Sequence, residues 1–466
     1  MRISKKLVYD TIDRAEQAYL NCWDVLMFFK CEKEKMIDDI ISFQIILART
    51  IYDLSELNHK VKWELKRIRK NRKQYTKEWF VAREKSFDMY CRVIDKTIEL
   101  GKCLGDSFAW VFFIKDAELI KNNFQHPPVS APAPGLGMKS EISFLEKFRN
   151  HERYFFIYHG ITSFLRVGDV SIFDRQYGRV IGVGEIKSGK VTADGSIPVH
   201  VEFISKVEMA DINGHEHLLK TDIEFNMTED MHLRLEKQIK QMKNSLQKKI
   251  PDRKMDINTQ YCFKEIEQAY LDMNKNDIGY VVGGKGILIC LSKNPGSTLS
   301  KRIFNKNLKT QKKLLDSLVQ NTLKIVTDEY KDNRLIYSHF SLNLMPGATP
   351  FFWWHLDNSI IKKVIFDEIS MWVIFNPGYL ISKLREMGFD IVFHKDEKFQ
   401  FVPEMVFNNR IIEVKNMSFF VDMILWCLMK EEFILQVIET IVSDLKEGKH
   451  PDNSKIMIDI TQHLLY

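Results

Sequence analysis

Cysteine pairs are absent from this chain. Its seven cysteines (Cys22, Cys31, Cys91, Cys103, Cys262, Cys290 and Cys427) are scattered and odd in number, with no C-x-x-C among them. That argues against a disulfide framework and a zinc finger, and places the expected compartment in a reducing cytoplasm. Long apolar runs are missing as well. The most apolar stretch, Met417 to Val442, is interrupted by Asp422, Lys430, Glu431 and Glu432, so it reads as buried helix and no membrane span is expected. The opening residues, MRISKKLVYDTIDRAEQAYL, carry basic charge with no apolar core behind it, which is not the pattern of a signal peptide. Net charge is small: 68 Lys and Arg against 62 Asp and Glu leave +6, with a pI near 8.7. Such an excess permits a nucleic-acid partner without demanding one. What remains is the composition of a soluble globular protein, 45% hydrophobic and 28% charged. Its 466 residues are enough for two or three domains with substantial cores.

Four segments are expected. Residues 1–126 read as an all-helical N-terminal domain, with apolar positions at helical spacing over Met36 to Leu57 and again over Glu78 to Leu100. Asp106 is the expected N-cap of a further apolar helix. Residues 127–137 hold four prolines with Ala, Ser and Gly, and form a linker. Residues 138–293 alternate helix and strand patterns. They begin with a helix from Met138 and a strand over Tyr154 to Thr162. Further strands are expected at His200 to Met209, Leu218 to Phe225 and Gly279 to Leu291, with a helix over Thr228 to Lys249. Residues 294–466 read as a mostly helical C-terminal domain of unassigned role. They include an amphipathic helix at Lys309 to Tyr330, a helix and hairpin over Leu384 to Val402, and a buried helix pair over Asn416 to Leu445. His355 is expected to be a packed core histidine.

The chemistry concentrates between Arg166 and Lys190, RVGDVSIFDRQYGRVIGVGEIKSGK. Two short β-branched stretches flank the polar cluster Arg175 to Arg179, the pattern of a hairpin. Alternation sends Glu185 and Lys187 to one side of their strand and Ile186 to the other. A turn centred on Tyr177 sets Asp169 opposite Glu185. Like charges placed so are destabilising, and burial makes them worse. A divalent cation with a lysine beside it removes the conflict, and oxygen ligands open to a phosphate suit Mg²⁺. The blander reading is that Asp169 starts a turn and the other two are polar residues on a half-solvated strand.

At these residues the chain resembles the PD-(D/E)XK nuclease superfamily, whose motif is matched by Gly168-Asp169 and Glu185-Ile186-Lys187. The resemblance covers roughly Lys139 to Leu291. It implies an α/β (α+β) restriction-endonuclease-like core with a mixed sheet, flanked by the two helical regions. It implies that Asp169 and Glu185 bind Mg²⁺, with Mn²⁺ as a substitute, and that Lys187 positions the attacking water. It also implies a glutamate on the preceding helix, Glu141 in preference to Glu146, and an accessory Gln238 or Lys240 on the later helix. The family's proline before the first Asp is Gly168 here. The implied function is metal-dependent DNA endonuclease, and by family habit a bacterial anti-phage defence effector. Self-association or an activating partner is compatible with that role. The alternative is a catalytically inactive scaffold that keeps the fold.

Three further patterns compete for attention. Between Lys60 and Lys77 there are nine Lys and Arg against one Glu, with Trp63 and Tyr75 interleaved. Lys66, Arg67 and Lys70, with Lys190, are the candidate nucleic-acid contacts, against the ordinary reading of a solvated helix face. Gly184 to Val191 nearly spells a P-loop, but Val191 replaces the required hydroxyl and a strand follows where a helix is needed. Gly214-His-Glu-His217 suits a loop tip better than a metal site.

Overall fold

The computed structural model describes residues 3–31, 37–114, 116–124, 126, 135–147, 153–189, 199–205, 229–247, 260–305, 316–317, 320, 336–340, 342, 344, 348–393, 401–407, 410–415, 417–447 and 455–459. The chain is mixed helix and sheet, and it divides into two compact units. The first holds Met1–Lys249 with the returning segments Thr298–Lys301 and Leu342–Trp353. The second holds Ile250–Ser297, Arg302–Ser341 and Trp354–Tyr466.

The first unit begins with long helices, α1 (Lys5–Cys31), α2 (Ile37–Lys70) and α3 (Lys77–Phe113), followed by α4 (Ala117–Phe124). α2 ends in Arg67, Arg69 and Lys70, charges that suit a helix C-terminus. Thr76 then caps α3 by accepting from Trp79 N. The two helices fold back on one another, joined by Arg69 to Glu84 at 2.8 Å and Asn58 to Asp95 at 2.5 Å. α3 runs through Asp106, which is therefore not an N-cap. Its glycines serve packing instead, because a Cβ at Gly105 would lie 1.9 Å from the Ile161 carbonyl oxygen. Asp106 is buried and accepts from Ser163 N at 2.6 Å and Ser163 Oγ at 2.5 Å, while burial raises its carboxyl to about 6.

α5 (Leu136–Lys147) leads into a four-stranded sheet of β1 (Tyr154–Tyr158), β2 (Val170–Asp174), β3 (Arg179–Ser188) and β4 (Val199–Ser205), in that spatial order. Every described pairing in it is antiparallel, so the site-bearing sheet is not mixed as the resemblance implied. β1 stops at Tyr158 and gives way to a 3₁₀ turn, His159–Ile161. α6 (Glu229–Gln247) covers one face, with Met242 packed on Val167 and Val183. α5 reaches β1 through a Phe144–Phe156 ring contact. The outer edge of β1 is closed by α2: buried Gln44 donates to Phe156 O at 2.9 Å and accepts from Tyr158 N at 2.8 Å.

The second unit differs from expectation in two ways. The hairpin β5 (Ile278–Val282) and β6 (Ile287–Lys293) does not complete the sheet bearing Asp169 and Glu185. It belongs to a sheet of order β5-β6-β8-β7, with β7 (Ile336–His339) and β8 (Ile369–Phe375). The boundaries expected at 126, 138 and 293 therefore differ from the observed division. Among the described residues from 294 onward, strands join the helices. Besides β7 and β8 this region contains a sheet of β9 (Asp390–Phe393), β10 (Phe401–Phe407), β11 (Arg410–Lys415) and β12 (Lys455–Asp459), in which β11 and β12 run parallel. The buried helix pair is present as Met417–Cys427 and Glu431–Lys446. His355 is exposed, not packed. The strand at Leu218 to Phe225, the Gly214–His217 tip and nearly all of Lys309 to Tyr330 lie outside the described residues.

Candidate active site

β2 and β3 pair with Val170 opposite Gly184 and Ser171 opposite Val183, the register in which position 169 adjoins position 185. A bulge between Ile172 and Phe173 shifts the pairing nearer the turn. Asp169 stands one residue before β2. Its N–H donates to Gly184 O at 2.8 Å, and its Oδ2 accepts from Ile186 N at 2.7 Å. The aspartate thus continues the ladder with its own side chain and lies against the Glu185–Lys187 segment.

Gly168 makes this possible. Its φ is +75°, and a Cβ there would meet Val183 Cγ1 at 2.5 Å and Gly184 O at 2.8 Å. Proline, locked near −65°, cannot take that conformation. His159 clamps the same turn from behind. Its N–H donates to Asp169 O at 2.9 Å, its Nδ1 lies 2.9 Å from Gly168 O and its Nε2 2.7 Å from Ser171 Oγ. Because a carbonyl only accepts, Nδ1 carries the proton and Nε2 accepts from the serine. Burial lowers this imidazole to about 4, so the ring stays neutral.

Three carboxylates and one ammonium meet here. Glu185 is buried, and Lys187 Nζ donates to its Oε1 at 2.6 Å. Glu141, from α5, accepts from Tyr158 Oη at 2.5 Å. Burial raises the Asp169 carboxyl well above its ordinary value, and the charges of Glu185 and Glu141 add to the rise. The Ile186 N–H and Lys187 oppose it. Burial likewise raises Glu141. There the Tyr158 hydrogen bond and Lys187 act against the rise, and Glu185 adds to it. Tyr158 is itself held well above its usual value by burial and by Glu141, and so keeps its proton and donates. With all three acids ionised, one ammonium leaves two negative charges uncompensated.

Among the described residues, no group of three or more His, Cys, Asp or Glu side chains is arranged to hold a metal ion. One oxygen of each acid is instead engaged, by Lys187, Tyr158 or the Ile186 N–H. The other oxygens (Asp169 Oδ1, Glu141 Oε1 and Glu185 Oε2) make no hydrogen bond to a described residue. Oxygen donors are the kind that Mg²⁺ and Mn²⁺ take.

The remaining expected site residues are dispersed. Glu146 is exposed and paired with Arg49. Gln238 is half-buried on α6 one turn before Met242, and its Oε1 is buried with no partner among the described residues. Lys240 is exposed. Gly184 to Ser188 lies inside β3, which removes the P-loop reading, and Lys190 falls outside the described residues. Lys66, Arg67 and Lys70 are exposed near the end of α2. Tyr158 and His159 were missed because the whole of Tyr154 to Thr162 reads as one strand. The signal available was the His-Gly pair, a break in an otherwise apolar run. Comparison with protein-family models, with curated proteins and with solved structures gives no match for this chain.

Proposed function

We propose that this chain is a divalent-metal-dependent nuclease that hydrolyses phosphodiester bonds in DNA. One observation supports the reading above all. Glu141, Asp169, Glu185 and Lys187, drawn from a helix, a turn and a strand, gather at one end of a sheet, three acids against one ammonium. In this reading Asp169 and Glu185, with Glu141, hold the ion. When bound, it polarises the scissile phosphate and makes a water acidic enough to attack. Lys187 turns from Glu185 towards the phosphate, orients the water and offsets the developing charge. Tyr158 holds Glu141 in orientation, and His159 fixes the backbone that carries Asp169. A role in defence against phage belongs to the proposal through the resemblance alone.

A second reading, a non-catalytic scaffold, is favoured by the direct Lys187–Glu185 bridge, which compensates one acid without any ion. Plasmid cleavage separates the two. The native chain is incubated with Mg²⁺, Mn²⁺ or EDTA beside Asp169→Ala and Lys187→Ala. The nuclease reading expects cleavage with metal and a loss of about a hundredfold or more in each variant. Cleavage that survives both substitutions, or that proceeds in EDTA, contradicts it. A native chain inert on duplex, single-stranded and nicked DNA with either metal supports the scaffold.

A further inference from the structure

The fold of the site leaves the basic stretch between α2 and α3 unexplained, and the structure gives it a shape. Four of its nine cations are compensated by acids: Lys60 by Glu56, Lys62 by Asp95, Arg67 by Glu64, and Arg69 by Glu84 and Asp88. Arg72 lies over the Phe80 ring at 4.9 Å. The other four, Lys66, Lys70, Lys73 and Lys77, are exposed and have no acidic partner among the described residues. Lys77 opens α3 with Glu78 beside it, and Lys73 lies in the 3₁₀ turn Arg72–Gln74 just before; the helix dipole disfavours a cation at Lys77. That end attracts anions, and lysines beside it attract the same ligand.

Aromatic surface is exposed at the same tip. Trp63 is 57% exposed and Trp79 42%. Tyr75 stacks on Trp79 with ring centres 4.3 Å apart. Beside Trp79 opens a cavity of about 370 Å³, lined by Arg67, Arg83, Ile68, Phe87 and Glu64. Its volume falls in the range of small-ligand sites. Tyr75 covers part of Trp79 and the Arg67 guanidinium lies 5.8 Å from the centre of the Trp63 ring, yet both indoles keep exposed surface that a solvated helix face does not need. Cations in a row with flat aromatic faces between them are what a chain of phosphates and unpaired bases requires.

We propose that the tip of the α2–α3 hairpin is a binding site for single-stranded nucleic acid. Phosphates lie on Lys66, Lys70, Lys73 and Lys77, a base stacks on Trp79 at the cavity mouth, and Trp63 offers a second stacking face. Duplex DNA hides its base faces and meets only the lysines. The binding claim stands apart from the nuclease reading and rests on it only for reach. α2 touches β1 through Gln44, and Lys70 is 26 residues further along. At 1.5 Å per residue the tip lies about 39 Å from that contact. A substrate engaging both sites therefore carries its single-stranded segment about eleven base-pair steps from the scissile bond.

The test is fluorescence anisotropy with the full chain in EDTA. It uses a labelled oligothymidylate of about twenty nucleotides and a duplex of equal length, at several salt concentrations, with circular dichroism to check folding. The single strand is expected to bind more tightly. Lys66→Glu/Lys70→Glu/Lys73→Glu is expected to lose at least about tenfold in affinity, with the salt slope reduced by about two. Trp63→Ala and Trp79→Ala are each expected to lose about fivefold or more. Asp169→Ala is expected to bind like the native chain. Equal or tighter duplex binding, a folded triple variant that binds undiminished, or two folded Trp variants that both bind undiminished would overturn the proposal. Failure of the cleavage assay leaves these results unaltered, so the two readings fail separately.

Discussion

Gly168 shows how much of the site depends on a single missing side chain. Gly168→Ala places a Cβ against the Gly184 carbonyl at a positive φ, and we expect a loss of about 1–3 kcal/mol in urea unfolding. Gly168→Pro is expected to cost more, because proline cannot adopt a positive φ. Equal stability of the proline variant would refute the account of the turn. A second residue-scale prediction concerns Glu431, which is fully buried and accepts from Gly286 N at 2.5 Å. Burial raises it from 4.5 to about 7. The folded chain therefore holds this proton more tightly than the unfolded chain. The resulting stability is complete below about pH 4.5, declines as the pH rises, and is gone above about pH 7, a change of about 3 kcal/mol at most. Glu431→Gln removes that decline. Unfolding midpoints at pH 5 and pH 8 check it, and an unchanged difference in the variant would count against the assignment.

Among the elements, β1 carries more of the site than its sequence suggested. It presents Tyr158 to Glu141, and its outer edge is hydrogen-bonded by Gln44 of α2. Gln44→Leu strips the partners from Phe156 O and Tyr158 N inside the core. We expect about 2–4 kcal/mol of destabilisation and, on the nuclease reading, weaker metal dependence through the displaced Tyr158. An unperturbed melting curve would show that the edge has another support. Such contacts join residues 112 and 114 positions apart, so no local pattern announces them. The hairpin of β2 and β3 is the opposite case. Its register follows from alternation and a short turn, and the placement of Asp169 beside Glu185 was legible for that reason. Asp106 was misread as an N-cap, because the close packing of Gly105 on Ile161 leaves no trace in nearby residues. The hairpin β5–β6 was assigned to the wrong sheet, because its partner β8 lies about eighty residues downstream and strand character alone names no partner.

For the whole molecule, one division matters: the unit that holds the acids also holds the basic hairpin, while the second unit is organised around separate sheets. The central claim is electrostatic. On the proposed function, three acids with one ammonium take up a divalent ion and give up protons as they do so, because burial and mutual repulsion raise the Asp169 and Glu141 carboxyls. The most direct test is a Mn²⁺ titration of the full chain, followed by electron paramagnetic resonance of the free ion, at two pH values. The account predicts saturable binding that tightens as the pH rises, by up to about tenfold per pH unit for each proton released, and that is lost in Asp169→Asn and Glu185→Gln. Binding of the same strength in both variants, or none in the native chain, would contradict it.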